Sequence, residues 1–163
     1  MDSALNPSSR TAPVIRALLA WAACVLTTYV LASLMQTGFV LTALHSAGAQ
    51  LPPGIILRTV LHDLYGLAFN ALFVSYLLLI VIGFVIALPV AALLKKWTHA
   101  RALVIYPLAG AVLMGSMLGL AKMAFYGLSL YAGTRGPAGL ACQMLAGAAG
   151  GLVFALINRE KSR

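Results

Sequence analysis

Apolar residues fill four long stretches of this chain, and short polar or basic segments separate them. A helix needs about 20 apolar residues to cross the hydrocarbon core of a bilayer. Each of the four stretches reaches that length, so the pattern predicts four transmembrane helices. Their predicted limits are residues 17–44, 64–94, 102–127 and 137–157.

Prolines and glycines mark the predicted turns. The segments AQLPPG at 49–54 and TRGP at 134–137 interrupt the apolar pattern, and paired prolines stop a helix. The stretch 64–94 is longer than a bilayer requires, because a single helix over it would reach about 46 Å, at 1.5 Å per residue. We therefore expect this helix to tilt, kink or project from the membrane.

Composition supports the membrane assignment. The chain is 62% hydrophobic and 9% charged, whereas a soluble domain usually carries about 25% charged residues. The prediction is an all-α membrane protein: a four-transmembrane-helix bundle over residues 14–158. A mobile cytoplasmic tail, 1–13, would precede the bundle, and a basic tail, 159–163, would follow it.

The net charge of +8 is distributed in a way that predicts topology and does not indicate nucleic-acid binding. If four helices cross in turn, eight of the 11 Lys and Arg residues fall on one side and two on the other. Basic residues resist translocation, so both termini are expected in the cytoplasm. Without an organelle-type presequence, a bacterial inner membrane is the expected location. The eight residues are Arg10, Arg16, Lys95, Lys96, Arg101, Arg159, Lys161 and Arg163, and the two are Arg58 and Arg135.

Few residues have side chains suited to catalysis. The chain has three acidic residues and three histidines, and we find no HExxH, GxSxG or P-loop motif. No catalytic residue, cofactor or metal is expected. His62 and Asp63 leave two readings open. One is a proton relay or a weak metal site, and the metal site would need His45 as a further ligand. The other, which we favour, is an interfacial polar cap.

Polar residues within the apolar stretches define a candidate intramembrane site. An ionisable side chain inside a membrane is by default a candidate for function. We expect Lys122 to face the bundle interior and to pair with Asp63, with Gln143 between them. The alternative is that Lys122 snorkels to the interface. The candidate site comprises Lys122, Gln143, Asp63, Asn70 and His62.

Two GxxxG spacings predict a close helix pair. Gly115 and Gly119 lie in the third stretch, and Gly147 and Gly151 lie in the fourth. Small residues four apart allow two helix backbones to approach closely in lipid. We therefore expect these four glycines to pack the last two helices together.

The functional expectation follows from this shortage of reactive groups. The chain is expected to be a non-catalytic integral membrane protein, acting as an accessory, assembly or structural component of a membrane complex. Its partners would be the lipid bilayer and other membrane subunits or further copies of itself, and nucleic acid is not among them. A small homo-oligomeric transporter or channel is the alternative. Cys24 and Cys142 are expected to lie too far apart for a disulfide.

Overall fold

A computed structural model describes residues 8–50, 52–69, 75–124 and 136–158, with side chains from residue 14 onward. The described residues form five α-helices: α1 (Ser8–Ser46), α2 (Pro53–Phe69), α3 (Tyr76–Thr98), α4 (Ala102–Ala124) and α5 (Pro137–Asn158). Four segments are long and apolar enough to cross a membrane: Val14–Ser46 of α1, and α3, α4 and α5 in full. The predictions of an all-helical chain and of four membrane-length helices are confirmed.

The second predicted span is wrong as a single helix. Residues 64–94 belong to two helices, because α2 ends at Phe69 and α3 begins at Tyr76. Ser75 has non-helical backbone angles and its hydroxyl accepts a hydrogen bond from the Leu78 N–H, 3.4 Å away. A serine in this position satisfies an orphan N–H of the first turn and so begins a new helix. The same hydroxyl donates to the Ala68 carbonyl near the end of α2.

The helix boundaries elsewhere follow the proline and glycine positions more closely. α1 ends at Ser46, and Gly48 has a positive φ of 88° in the turn that follows. Pro53 opens α2, a position where proline's missing N–H costs nothing. The predicted tail differs from the structure, since α1 already begins at Ser8. Residues 1–7, 125–135 and 159–163 lie outside the described part of the chain.

Helix α5 lies between α1 and α4 and runs antiparallel to both. Arg16 meets Ile157 at one end of the α1–α5 pair, and Ala32 meets Gln143 further along. On the other side, Gly151 packs on Tyr106 and Gly147 packs on Gly110. The helices α1 and α4 therefore begin, and α3 and α5 end, at one end of the bundle. We call it the basic end, and it carries Arg16, Lys95, Lys96 and Arg101.

Glycines bring these three helices together, but the set differs from the predicted one. A Cβ at Gly147 would overlap the Gly110 carbonyl oxygen, and a Cβ at Gly151 would overlap that of Tyr106. On α4 the close approach thus occurs at Gly110, which sequence analysis did not identify. A Cβ at Gly115 would meet only the flexible Met144 side chain, at 3.3 Å, and one at Gly119 would have no described atom within 4 Å. The predicted roles of Gly115 and Gly119 are corrected accordingly.

The sequence GAAGG of α5 has two packing faces. Gly147 and Gly151 are four residues apart and share the face toward α4. Gly150 lies on another face, where a Cβ would overlap the Thr28 hydroxyl and lie 2.7 Å from the Cys24 carbonyl oxygen of α1. Because its two glycine faces carry no Cβ, α5 can approach the backbones of both α1 and α4. Such close approach is favourable, since van der Waals contact is a main attraction between helices in lipid.

Candidate functional site

A buried side-chain amide joins three of the membrane-length helices. Gln143 of α5 is 1% exposed. Its Oε1 accepts a hydrogen bond from the Tyr76 hydroxyl of α3 at 2.7 Å, and its Nε2 donates to the Ala32 carbonyl of α1 at 3.1 Å. Tyr76 is 3% exposed, so neither side chain is accessible from lipid or water. We call Gln143, Tyr76 and the Ala32 carbonyl the Gln143 cluster.

The geometry of the Gln143 cluster is suited to holding helices. Both the oxygen and the nitrogen of the amide have partners, so the cost of burying this polar group is offset. Hydrogen bonds between helices in a membrane contribute roughly 0.6–1.7 kcal/mol each. These hydrogen bonds use both the oxygen and the nitrogen of the amide. The cluster can therefore fix α1, α3 and α5 relative to each other.

The face of α1 toward this cluster carries further buried polar side chains. The hydroxyls of Thr28 and Ser33 have no hydrogen-bond partner within the described residues, although both are buried. Thr28 lies against Gly150 of α5. Gly150 follows Gln143 by seven residues, so the two contacts are about 10 Å apart along α5, toward the basic end. The buried polar residues of α1 are Thr28, Ser33, Gln36 and Thr37.

Two contacts attach α2 to α1. The Tyr29 hydroxyl donates to the Leu64 carbonyl. The Thr37 hydroxyl lies 3.0 Å from Asp63 Oδ2 and 3.1 Å from the Ser33 carbonyl oxygen, so its one proton is shared between two acceptors. Asp63 therefore belongs to the α1–α2 contact and lies outside the Gln143 cluster.

The His62 and Asp63 pair resembles the polar cap more than a metal site. His62 Nδ1 lies 3.8 Å from Asp63 Oδ1, and the His62 side chain is 79% exposed. Within the described ranges, no group of three or more His, Cys, Asp or Glu residues is placed to hold a metal ion. His45 thus does not complete a ligand set with them.

Lys122 does not lie where we expected it. Its side chain is exposed and makes no hydrogen bond or ion pair with any residue in the described part of the chain. The α4–α5 register explains this position: Lys122 is 12 residues beyond Gly110, whereas α5 begins only 10 residues before Gly147. The lysine is therefore level with the start of α5, where it can reach the interface. The predicted Lys122–Asp63 pair is wrong, and Tyr76 takes the place beside Gln143.

Replacing Lys122 by methionine should leave the stability of the bundle almost unchanged. A surface substitution away from packing contacts usually changes the free energy of unfolding by less than about 0.5 kcal/mol. Thermal unfolding in detergent measures this, with Gln143→Leu as the destabilised comparison. A Lys122→Met variant that loses as much stability as Gln143→Leu would show that the lysine side chain lies in the bundle interior.

The predicted site residues are thus not brought together. Gln143 lies in the Gln143 cluster, Asp63 and His62 lie on α2, and Lys122 lies at the end of α4. Asn70 falls outside the described residues. The structure replaces one predicted site by two separate contacts, one among α1, α3 and α5 and one between α1 and α2.

The basic end has a polar contact of its own. Arg16 Nε and Nη2 donate to the Ile157 carbonyl at 3.0 and 2.6 Å. The last carbonyls of a helix lack intrahelical donors, and a cation there also interacts favourably with the helix dipole. Arg16 therefore caps α5 as well as contributing to the charge of the basic end.

The two cysteines are free and lie at different depths. The Cys24 backbone packs on Gly150, whereas Cys142 is eight residues earlier in α5, about 12 Å along the helix. Disulfides need Cα atoms within about 7 Å. We expect equal masses with and without reductant, and faster labelling of the partly exposed Cys142 than of the buried Cys24 by a membrane-permeant maleimide. A mass lower by two protons without reductant, or faster labelling at Cys24, would contradict this arrangement.

Comparison with known proteins adds no assignment: no family model, curated protein or solved structure matches the chain. The candidate site must therefore be interpreted from its own geometry. Sequence analysis missed Tyr76 and most of the polar face of α1. The available signal was the helical spacing of Tyr29, Ser33, Gln36 and Thr37, which puts four hydrogen-bonding side chains along one side of α1.

Proposed function

We propose that the chain is a non-catalytic integral membrane protein that acts as an accessory, assembly or structural component of a membrane complex. The observation that carries this proposal is an apolar surface at the end of the bundle opposite the basic end. There α1 continues past its neighbour α5 and α2 packs beside it. The two helices form a hairpin, and a row of large apolar side chains is exposed on α2 beside the exposed Arg58 and His62.

The register of α1 and α5 gives the length of this extension. Ala32 lies 14 residues before the end of α1, whereas Gln143 lies six residues after the start of α5. Since the two helices are antiparallel, α1 extends about eight residues, or about 12 Å, past the start of α5. Asp63 pairs with Thr37 near that level, so the first half of α2 accompanies the extension.

Exposed apolar side chains cover the outer side of this hairpin. Leu57, Leu61, Tyr65 and Phe69 recur every four residues on α2 and are all more than half exposed. Such a stripe is typical of a surface that contacts another protein or the membrane. We name these four side chains the α2 stripe. Its first half, Leu57 and Leu61, lies past the start of the membrane-length helix α5. Because this part of α2 extends beyond α5, we favour contact with a partner subunit over contact with lipid tails.

The Gln143 cluster also supports a non-catalytic role. Its amide is used at both ends in helix-to-helix hydrogen bonds, and Arg16 caps α5. The exposed ionisable residues Lys122 and His62 lie apart from it. The hydrogen bonds of Gln143 and Arg16 stabilise the bundle, and this structural role requires no catalysis.

Purification in mild detergent tests this proposal. We expect the wild-type chain to elute with a partner protein in a fixed ratio, and a Leu57→Gln, Leu61→Gln double variant to lose that partner. Arg58→Gln is the matched control, because Arg58 is exposed on the same helix but lies outside the α2 stripe. A wild-type chain that elutes alone, or a partner retained equally by all three proteins, would contradict the proposal.

The proposed orientation has both termini in the cytoplasm of a bacterium, and the protein in its inner membrane. The positive-inside rule supports it, since Arg16, Lys95, Lys96 and Arg101 share the basic end. Reporter fusions at the C-terminus and in the 99–101 loop should both read cytoplasmic, and one placed at Gln50 should read external. A periplasmic signal at either of the first two positions would overturn the orientation.

A small homo-oligomeric transporter or channel is the second candidate, and one observation favours it. The apolar stretch 64–94 is divided between α2 and α3, and Ser75, which caps the start of α3, lies directly before Tyr76 of the Gln143 cluster. Discontinuous helices next to buried polar groups form substrate sites in many transporters. Solute uptake by liposomes containing only this chain would favour this candidate over the accessory role.

A further inference from the structure

An apolar groove lies between α3 and α4 in the half of the bundle nearest the basic end. Its volume is about 410 Å³. Ala87 and Ala91 of α3 leave room for it, and Leu94 of α3 with Ile105, Leu108 and Val112 of α4 form its walls. The groove opens sideways toward the region where a bilayer would lie, because Leu108 and Val112 are both more than half exposed.

The length of the groove matches one leaflet. It runs along α3 from Gly83 to Leu94, a distance of about 16 Å at 1.5 Å per residue. Half of a hydrocarbon core about 30 Å thick is about 15 Å. An extended acyl chain entering from the basic end would therefore lie in the groove over the full depth of its leaflet.

Two basic residues lie within one helical turn of residues that line the groove, on the side of the basic end. Arg101 is one helical turn before Ile105, on the same side of the chain as the wall residues of α4. Lys95 is one turn after Ala91 on α3. Both are exposed, and neither side chain makes a hydrogen bond or ion pair with any described residue. The exposed Trp97 lies at the same end, at the depth that indole rings prefer.

Apolar walls of leaflet length that end at two cations are complementary to one kind of molecule. We propose that this groove binds an acyl chain of an anionic phospholipid, with the phosphate held by Lys95 and Arg101. The guanidinium of Arg101 can donate two parallel hydrogen bonds to phosphate oxygens, and Lys95 adds a second positive charge. A zwitterionic lipid would fill the groove equally well but would bring its own cation to the basic mouth. The site therefore selects by headgroup charge.

Native mass spectrometry of the purified chain with added lipid tests this site. Phosphatidylglycerol and phosphatidylcholine with identical acyl chains are the two probes. We expect the wild-type chain to retain phosphatidylglycerol on the order of tenfold more than phosphatidylcholine, from two basic residues near the membrane surface. Equal retention of the two lipids by the wild-type chain would by itself overturn the proposal.

Variants separate the headgroup contact from the groove. Lys95→Ala with Arg101→Ala should remove the preference for phosphatidylglycerol, whereas Lys122→Ala, which removes an exposed charge at the other end, should keep it. Ala87→Phe should fill the groove and reduce retention of both lipids. Its control is Ala22→Phe, an exposed position of α1 away from the groove. A charge variant that still prefers phosphatidylglycerol, or a folded Ala87→Phe chain that binds like the wild type, contradicts the site.

Discussion

Replacing Gly147 by alanine is expected to cost about 2–3 kcal/mol of stability, because a single added methyl group must separate two helix backbones. The new Cβ would overlap the Gly110 carbonyl oxygen and lie 2.5 Å from Met114 Cγ. The backbone of α4 cannot rotate away as a flexible side chain would. Gly110→Ala should have a similar cost, since it meets the same contact from the other side. Thermal unfolding in detergent measures both.

The same substitution at two other glycines supplies the control. Gly119→Ala should be neutral or slightly stabilising, since no described atom lies within 4 Å of the new Cβ and alanine is the better helix former. Gly115→Ala should fall between, because the Met144 side chain can move aside. If Gly115→Ala and Gly119→Ala cost more than Gly110→Ala and Gly147→Ala, the register of α4 against α5 is wrong.

The second large effect is expected in the Gln143 cluster. Tyr76→Phe removes the donor to Gln143 Oε1, and Gln143→Leu removes the hydrogen bonds to Tyr76 and to the Ala32 carbonyl. Each single variant breaks the buried Tyr76–Gln143 hydrogen bond, and the loss of such a bond between buried groups costs roughly 1–3 kcal/mol. Once Gln143 is leucine, the added loss of the Tyr76 hydroxyl should cost less, because its hydrogen bond to Gln143 Oε1 is already gone.

A double-mutant cycle measures this dependence. We expect a coupling of about 1 kcal/mol between Tyr76→Phe and Gln143→Leu, within the range of interhelical hydrogen bonds in membranes. Tyr65→Phe is the matched control, since Tyr65 is exposed and lies on the α2 stripe. Effects of the two cluster variants that add to within about 0.3–0.5 kcal/mol would show that the two side chains do not interact.

Hydropathy predicted the four membrane-length helices because the requirement for about 20 apolar residues is strong and local. It could not predict the interruption between α2 and α3. Apolar residues continue on both sides of it, and the described marker of the new helix is the Ser75 hydroxyl, which accepts from the Leu78 N–H and donates to the Ala68 carbonyl. A serine within an apolar stretch has several possible roles, so the sequence alone does not identify it as a helix start.

The glycine contact was predictable in kind but not in register. A GxxxG spacing shows that one face of a helix is small, and Gly147 and Gly151 do lie on such a face. The partner of that face depends on how two antiparallel helices are shifted along each other. The Gly110 and Tyr106 contacts determine that shift, and Gly110 belongs to no GxxxG pair in the sequence. Gly115 and Gly119 form the more visible motif and make the weaker contacts.

The candidate site was predicted only in part for a related reason. Gln143 was identified from its polarity at membrane depth, yet its partners are a tyrosine and a backbone carbonyl. Every residue has a backbone carbonyl, so the sequence does not indicate which one accepts a hydrogen bond. A tyrosine near the end of a membrane helix usually indicates the membrane interface. Lys122 was the more conspicuous candidate, because it is an ionisable residue in an apolar stretch. Its depth in the bundle depends on the residue at which α5 begins, and the sequence did not give that position relative to α4.

Site-specific photo-crosslinking from the α2 stripe tests the proposed accessory role most directly. A photoreactive residue at Leu61, 58% exposed, is compared with one at Leu26, 62% exposed on the membrane-length part of α1. The account predicts a discrete heavier product containing a different protein from Leu61, and only lipid adducts from Leu26. A product of twice the chain's own mass would favour the homo-oligomeric alternative. Lipid adducts alone from both positions would contradict the account, since the α2 stripe would then be an ordinary lipid-facing surface.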